Sequence, residues 1–243
     1  MQEEGKDYTS FEEILQYLKH AGLPVILIDS TASEEIPALY PRLLSSGIHI
    51  ATPNKKGVSG TLNLFADIMT TAHASRTQFY YEATVGAGLP IISTLQDLVQ
   101  SGDNIDKIEG VFSGTLSYIF NVFGNSDAKF SDIVREAKEK GYTEPDPRDD
   151  LNGMDVARKL TILARTIGME IAGPPSPTIF PIQGLIPKAL ANVQSGEDFL
   201  TGLPAHDDEF DEMRSAAKKN GKVLRYVGSI NLATKTIEVG LQA

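Results

Sequence analysis

The sequence predicts an α/β unit followed by an α+β unit, and three observations support this fold class. In the first third of the chain, short apolar runs without polar alternation are separated by helical stretches, which is the pattern of buried parallel strands. Near the end of the chain, two runs alternate apolar and polar residues, which is typical of antiparallel strands with one solvent-exposed face. The 243 residues suffice for two modest domains, each with its own core.

The first unit, residues 1–76, is predicted to alternate helices with strands buried on both faces. We expect helices at residues 11–20, 35–46 and 60–73, and strands at Val25–Ile28 and Ile48–Ala51. Ser10 and Glu13 have the spacing of a capping box at the start of the first helix. Both strands end in small polar or cationic residues, at the edge where parallel sheets bind ligands. This pattern is typical of the second half of a Rossmann-like dinucleotide-binding domain, and we expect its first half, with the Gly-rich phosphate turn, to be missing.

The second unit, residues 77–243, is predicted to mix helices with a sheet that is at least partly antiparallel. We expect strands at residues 79–82, 105–112, 223–230 and 234–239, and helices at residues 92–100, 116–123, 130–140, 152–167 and 209–220. The Pro-rich stretch 173–181 is predicted to be irregular. Such a mixture indicates an α+β domain.

Composition excludes several classes of function. The formal charge is −10, from 22 Lys and Arg against 32 Asp and Glu, which argues against nucleic acid or an anionic membrane as a partner. Because the chain has no cysteine, disulfides, thiolate metal sites and thiol nucleophiles are excluded. No apolar run has the length of a membrane span and no signal-peptide pattern is present, so a cytoplasmic location is expected.

The densest group of polar residues lies in the segment Gly141–Lys159. Its two prolines hold the first part extended, so a helix begins only after them. We expect one of three residues to cap that helix: Asp149, Asp150 or Asn152. Asp155 and Lys159 project from one helix face, which a surface ion pair alone would explain. Five acidic residues in twelve instead favour a site for a substrate with an ammonium group.

The segment Glu82–Pro90 follows a predicted strand and contains two glycines, which let the backbone bend so that alternate carbonyls point inward. One interpretation is a tight connection between a strand and a helix, which is the more common case. The other is a hard-cation site formed by one carboxylate and several backbone oxygens. A single negative charge suits a weakly bound monovalent ion better than Ca²⁺ or Mg²⁺.

Two further segments have both a structural and a functional interpretation. Phe112–Tyr118 places hydroxyls and amides at a helix N-terminus, where they would bind a carboxylate or only cap the helix. Lys55 and Lys56 lie either in a solvated turn or at the ligand edge of the parallel sheet. The four histidines show no metal-ligand spacing, and we assign them no role.

Four segments, in this order, resemble the homoserine dehydrogenase family, especially its short fungal-type form without a regulatory domain. They are Thr52–Lys56, Glu82–Pro90, Phe112–Tyr118 and Gly141–Lys159. The last of them is highly specific, and the resemblance extends from the strand at Val25 to the end of the chain. It implies that residues 1–76 are part of a dinucleotide-binding domain and that residues 77–243 form a substrate-binding, catalytic and dimerisation domain.

The resemblance implies a role for each matching residue. Lys159 would be the acid/base residue, with Asp155 as its partner. Homoserine would be held by four residues: Glu144, Asp150, Thr115 and Tyr142. Lys56 would lie between nicotinamide and substrate, and Thr31 beside the cofactor. A sodium ion would be bound by the Glu82 carboxylate and the carbonyls of Val85, Ala87 and Leu89.

The implied activity is the NAD- or NADP-dependent interconversion of L-aspartate 4-semialdehyde and L-homoserine, in threonine and methionine biosynthesis, by a homodimer. The absence of cysteine excludes the phosphorylating semialdehyde dehydrogenase, which needs a thiol. Two alternatives remain open from the sequence: a truncated dehydrogenase that serves only as a binding or dimerisation module, and a related dehydrogenase of another amino acid. The residue that selects NAD or NADP belongs to the absent first half.

Overall fold

The computed structural model describes residues 10–20 and 22–243, which divide into two compact units. One ends at Ile91 and the other runs from Ile92 to Ala243. The boundary predicted between residues 76 and 77 precedes a strand, Phe79–Tyr80, that pairs within the first sheet, so the first unit continues past that position. Residues 1–9, the start of the predicted first domain, and Ala21 lie outside the described residues.

The first unit contains a parallel sheet, as predicted. Its strands, in order across the sheet, are β1 (Val25–Ile28), β2 (Ile48–Ala51) and β3 (Phe79–Tyr80). Its helices are α1 (Phe11–His20), α2 (Glu35–Ala38), α3 (Tyr40–Ser45), α4 (Lys56–Ser59) and α5 (Leu62–Ser75). The Ser10 hydroxyl accepts the Glu13 amide at 3.3 Å, which is the first half of the predicted capping box.

The core of this unit lies on one face of the sheet, where α1, α3 and α5 pack against it. The buried residues are Leu15, Tyr40, Leu43, Leu44, Ile48, Ile50, Ile68 and Ala72. On the other face, Ile26 and Ile28 are 59% and 72% exposed and Tyr80 is 56% exposed. The prediction of strands buried on both faces is therefore wrong for the described residues, because they supply only one helical layer.

One predicted helix is divided in two, and another follows a separate helical turn. Helix 35–46 breaks at Leu39 because Pro41 has no amide hydrogen to donate to the carbonyl four residues earlier. Helix 60–73 is preceded by the separate turn α4, and Thr61 starts α5 by accepting the Leu64 amide at 3.3 Å. The apolar spacing continues across the break at Leu39, which is why the sequence pattern did not reveal it.

The second unit has the predicted α+β character. Its antiparallel sheet has the order β4 (Lys107–Gly110), β5 (Arg225–Asn231) and β6 (Thr236–Gln242). Its helices are α6 (Ile91–Gln100), α7 (Gly114–Asn125), α8 (Phe130–Glu139), α9 (Arg148–Leu151), α10 (Met154–Thr166), α11 (Gly196–Gly202) and α12 (Asp207–Lys219). Within the residues that the structure describes, no helix is both long and apolar enough to cross a membrane.

Helix α10 begins in a very tight contact with the antiparallel sheet. Gly153 precedes it in the left-handed region (φ 76°), and a Cβ at this position would lie 2.0 Å from the Tyr226 hydroxyl of β5. That hydroxyl donates to the Gln183 carbonyl at 2.7 Å, so it is held in place. None of the three residues predicted to cap this helix is its N-cap, because that position is Gly153. Asn152, one residue earlier, accepts the Met154 amide at 2.7 Å.

We predict that Gly153→Ala destabilises the second unit more than Gly168→Ala does. Both glycines have positive φ, but a Cβ at Gly168 would meet nothing within 4 Å, so this control measures backbone strain alone, about 1 kcal/mol. The clash with Tyr226 should add about 1–3 kcal/mol to the cost for Gly153→Ala. Denaturant unfolding measures both variants, and equal losses would contradict the proposed contact.

Candidate functional site

The acidic segment forms a loop between α8 and α10 that is anchored by an arginine. Arg148 Nε donates to Asp146 Oδ1 at 3.0 Å, and Arg148 Nη1 donates to the Val193 carbonyl at 2.7 Å. The hydrogen bond from Arg148 holds the pKa of the Asp146 carboxyl below its ordinary value. The loop is therefore fixed by this ion pair as well as by its prolines, and Asp146 is used structurally.

Asp150 is the acidic residue that the loop places inward. Its Oδ2 accepts the Glu144 amide at 2.8 Å. The Thr115 hydroxyl, at the start of α7, lies 2.6 Å from the Tyr142 carbonyl and also within hydrogen-bonding reach of the Asp150 carboxylate. Because a hydroxyl has one proton, it serves one of these acceptors at a time.

The environment of Asp150 disfavours its negative charge. Burial raises the pKa of the Asp150 carboxyl above its ordinary value, and the negative charges of Asp149 and Asp155 act in the same direction. The hydrogen bonds from Glu144 and Thr115 oppose this shift without cancelling it. A positively charged group placed beside Asp150 would therefore be stabilised.

Lys159 and Asp155 project from α10 on the side away from its buried face. Lys159 Nζ lies 2.7 Å from Asp155 Oδ2 and donates to the Phe112 backbone carbonyl at 2.7 Å. The Lys159 side chain is only 18% exposed, so it does not extend into bulk solvent. Its ammonium is thus fixed by two acceptors, one on its own helix and one just before α7.

The remaining predicted substrate residues lie at the same place with different exposures. Tyr142 is half exposed and its ring packs edge-on against Tyr118, with the ring centroids 4.9 Å apart. Glu144 contributes its amide to Asp150, while the residue itself is exposed. The second unit therefore brings Thr115, Tyr142, Glu144, Asp150, Asp155 and Lys159 to the region between the starts of α7 and α10.

In the first unit, a buried carboxylate joins the carboxyl ends of β1 and β2. Asp29, which is 3% exposed, accepts the Tyr40 hydroxyl, the Thr31 amide at 2.8 Å and Asn54 Nδ2 at 3.1 Å. The Thr52 hydroxyl in turn donates to the Asp29 carbonyl at 2.8 Å. These bonds fix the two loops that follow the strands.

The same bonds keep Asp29 ionised. Burial alone would raise the pKa of its carboxyl, but hydrogen bonds from Tyr40, Thr31 and Asn54 hold the pKa below its ordinary value. Burial and the hydrogen bond to Asp29 raise the pKa of the Tyr40 hydroxyl, which therefore stays protonated as a donor. The favoured form of this network is therefore a neutral Tyr40 hydroxyl beside an ionised Asp29 carboxylate.

The two residues predicted to lie near a cofactor belong to these loops. Thr31 follows β1 and is held through its amide by Asp29. Lys56 starts α4. Its backbone amide donates a hydrogen bond to Asn54 Oδ1 at 3.1 Å, and its ammonium lies 3.0 Å from Glu34 Oε1. Both residues thus lie beyond the carboxyl ends of parallel strands, which is where open α/β sheets bind ligands.

The predicted cation segment combines a short 3₁₀ turn, Glu82–Thr84, with two consecutive left-handed residues. Gly86 has φ 79°, and Ala87 has φ 52°, which is strained for a residue with a side chain. A Cβ at Gly86 would lie 2.6 Å from the Ile91 side chain. Within residues 10–20 and 22–243, no three His, Cys, Asp or Glu side chains are arranged to bind one metal ion.

Sequence reasoning did not identify two features of these sites. The roles of Asp29, Tyr40 and Asn54 depend on contacts across the sheet, although polar residues at both strand ends were a partial signal. The Phe112 carbonyl had no signal in the sequence, because a backbone acceptor is present at every position.

Two family models match the chain. The model described as "Homoserine dehydrogenase, NAD binding domain" matches residues 2–82, and the model described as "Homoserine dehydrogenase" matches residues 90–243. The homoserine dehydrogenase of Schizosaccharomyces pombe is 52% identical over 237 residues, which are 96% of this chain and 62% of that protein.

Solved structures also resemble the chain, and two of them illustrate the likeness. A Candida auris protein of unknown function has 45% sequence identity and a TM-score of 0.91, over 98% of this chain and 66% of its own. A hyperthermophilic archaeal homoserine dehydrogenase in complex with NADPH has 23% identity and a TM-score of 0.69, over all of this chain and 61% of its own, and shares the fold. The chain thus spans less than two thirds of the length of these relatives.

We predict that Asp150→Asn raises the melting temperature at neutral pH. Because folding raises the pKa of this carboxyl, the stability that its protonated form contributes is complete below the unfolded value of 3.8 and is lost as the pH rises through the folded value. The variant should melt roughly 2 °C higher than the parent at pH 7, with the gain shrinking towards pH 4.

Asp149→Asn is the matched control, because Asp149 is an exposed neighbour in the same turn. It removes only the repulsion that Asp149 exerts on Asp150, a smaller cause than burial, so its effect on the melting temperature should be smaller. Calorimetry at both pH values measures the effect. A lower melting temperature for Asp150→Asn at pH 7 would mean that the hydrogen bonds to the carboxylate outweigh its desolvation.

Proposed function

Because this chain belongs to the homoserine dehydrogenase family, we propose that it carries the acid/base and substrate-binding residues for the interconversion of L-aspartate 4-semialdehyde and L-homoserine. The observation that supports this most directly is the fixed Lys159 ammonium, with its acceptors Asp155 and the Phe112 carbonyl, beside a loop of carboxylates. No observation on the described residues favours a module that only binds or dimerises.

Lys159 acts as the general acid in reduction and as the general base in oxidation. An ammonium has three N–H donors, and the contacts to Asp155 and Phe112 use two of them. The third donates to the substrate oxygen, which gains negative charge as the carbonyl is reduced. Holding a proton donor at that oxygen stabilises the developing alkoxide in the transition state.

The carboxylate loop binds the amino-acid end of the substrate. Asp150 and Glu144 accept the ammonium group, and the raised pKa of Asp150 supports this role because a nearby cation would offset the unfavourable charge. The Thr115 hydroxyl donates to the bound substrate or to Asp150. Tyr142, half exposed at the same place, forms part of the wall.

The nicotinamide cofactor, NAD or NADP, supplies hydride to the carbonyl carbon or removes it from the alcohol. Thr31 would hold this cofactor, and Lys56 would lie beside its nicotinamide. These roles are supported by the positions of Thr31 and Lys56 beyond the carboxyl ends of β1 and β2, in loops that the hydrogen bonds of Asp29 and Asn54 fix. The archaeal relative was solved with NADPH, which belongs to the same cofactor class.

A sodium ion would be held at the segment 82–89 by the Glu82 carboxylate and the carbonyls of Val85, Ala87 and Leu89. The positive φ angles of Gly86 and Ala87 support this site, because a strained backbone conformation fixes the direction in which the carbonyls of the segment point. One carboxylate with several carbonyls suits a monovalent ion held mainly for structure.

The protein functions as a homodimer in the cytoplasm, where its product enters threonine and methionine biosynthesis. In the β5–β6 hairpin, β5 is already paired on both sides and Val239 of β6 hydrogen-bonds with residues 181–183, so pairing across a two-fold axis would use the rest of the outer edge of β6. A monomer by light scattering at tens of micromolar would refute the dimer. The charge of −10 supports a small-molecule partner over nucleic acid or an anionic membrane.

We predict different kinetic effects for two substitutions in the natural full-length protein. Lys159→Ala should lower kcat for homoserine oxidation by roughly 10²–10⁴-fold, because it removes the acid/base group. Glu144→Gln should act mainly by raising KM for homoserine, because it removes charge that binds the ammonium in ground and transition states alike. Homoserine-dependent formation of NADPH or NADH measures both, and full activity of Lys159→Ala would refute the mechanism.

We also predict that the protein depends on sodium. Replacing sodium by tetramethylammonium should lower both the melting temperature and the activity, because the larger cation does not fit between a carboxylate and backbone carbonyls. Glu82→Gln is the matched control, since without the carboxylate the exchange of cations should have little further effect. An unchanged melting temperature and activity of the parent protein after the exchange would refute the site.

A further inference from the structure

Two glycines pair across β4 and β5 and leave part of the sheet without side chains. Gly110 and Gly228 are partners in the antiparallel register. A Cβ at Gly228 would lie 3.0 Å from Phe112 Cδ2, 3.0 Å from Leu160 Cδ1 and 3.1 Å from Val156 Cγ1. A Cβ at Gly110 would approach the Phe112 ring only to 3.8 Å, which is an ordinary contact. The Phe112 ring and α10 therefore rest directly on the backbone of β5 at Gly228.

The side chains that rest on Gly228 belong to the two parts of the chain that hold the Lys159 ammonium. Phe112 provides the backbone carbonyl that accepts from Lys159 Nζ at 2.7 Å. Leu160 and Val156 belong to α10, the helix that carries Lys159 and Asp155. A shift of these side chains away from β5 would move the donor, the acceptor or both.

We propose that Gly228 is a positioning residue for Lys159, because its lack of a side chain sets the distance between the Phe112 carbonyl and the Lys159 ammonium. The proposal rests on the acid/base role of Lys159 in the proposed function. A methyl group at Gly228 would push the Phe112 ring and the α10 side chains outward by a few tenths of an ångström. Glycine weakens the interior of a strand. The advantage of Gly228 in β5 is that it lets the Phe112 ring and α10 approach the strand backbone closely.

The primary experiment compares Gly228→Ala with Gly110→Ala in the natural full-length protein. Gly228→Ala should lower kcat for homoserine oxidation roughly tenfold, since small displacements of a reacting group are costly, while KM for homoserine changes little. Gly110→Ala adds the same methyl to the partner strand without a close contact and should leave both constants near the parent values. Melting temperatures of both variants distinguish mispositioning from lost stability.

A rescue experiment tests the route through Phe112. Phe112→Leu keeps the backbone carbonyl but shortens the side chain, so alone it should lower kcat by leaving the carbonyl less firmly held. Combined with Gly228→Ala, the added methyl occupies space that the shorter side chain leaves. The double variant should therefore have a higher kcat than either single variant. Phe112→Leu leaves β5 untouched and provides a measurement even if Gly228→Ala does not fold.

The outcomes of these experiments distinguish failure of the positioning role of Gly228 from failure of the proposed function. An active parent with equal kcat in Gly228→Ala and Gly110→Ala would overturn the positioning role and leave the proposed function standing. A double variant no more active than Gly228→Ala would also overturn it, and so would a Phe112→Leu variant with parental kcat. A parent protein without any homoserine-dependent activity would overturn the proposed function and the positioning role together.

Discussion

Helix α10 lies so close to the antiparallel sheet that two positions at their contact have no room for a side chain. Gly153, at the start of the helix, faces the Tyr226 hydroxyl, and Gly228 of β5 faces the middle of the helix. Asp155 and Lys159 lie between these two contacts along α10. The directions of the polar groups are therefore set by how closely a helix and a strand can approach, and the acidic loop and the start of α7 are arranged around that contact.

The two units each contain a partly or fully buried carboxylate, with opposite consequences. Burial acts against the charge at both Asp29 and Asp150. At Asp29, donors from three residues outweigh burial, so the anion is satisfied by the protein and serves the structure. At Asp150, the donors are too few and other carboxylates are near, so the charge is left partly uncompensated. Asp29 is therefore suited to holding two loops in place, whereas Asp150 is suited to binding a positively charged group of a ligand.

The sequence predicted those parts of the structure that local periodicity determines. The bounds of the strand Val25–Ile28 and of the helix at residues 130–139 were predicted almost to the residue, since each has a clear apolar pattern. The burial inferred for the strand was nevertheless wrong on one face. The break at Leu39 and the helix Gly196–Gly202 were missed, the first because apolar spacing continued across it and the second because it is short and has a glycine at each end. The candidate site residues were proposed from their resemblance to a family. Their partners were not, because contacts such as the Phe112 carbonyl depend on tertiary packing.

The uncovered face of the parallel sheet has a consequence for the colloidal behaviour of this chain taken by itself. Ile26 and Ile28 on the edge strand β1 and Tyr80 on β3, at the other edge, are exposed apolar surface, and such surface favours self-association. The net charge of −10 opposes it, since like-charged chains repel one another. Salt screens the repulsion within a Debye length of about 10 Å at 0.1 M but leaves the apolar attraction in place. Raising the ionic strength should therefore move the chain from dispersed particles towards aggregates, the reverse of what salt does to assemblies held together by ion pairs.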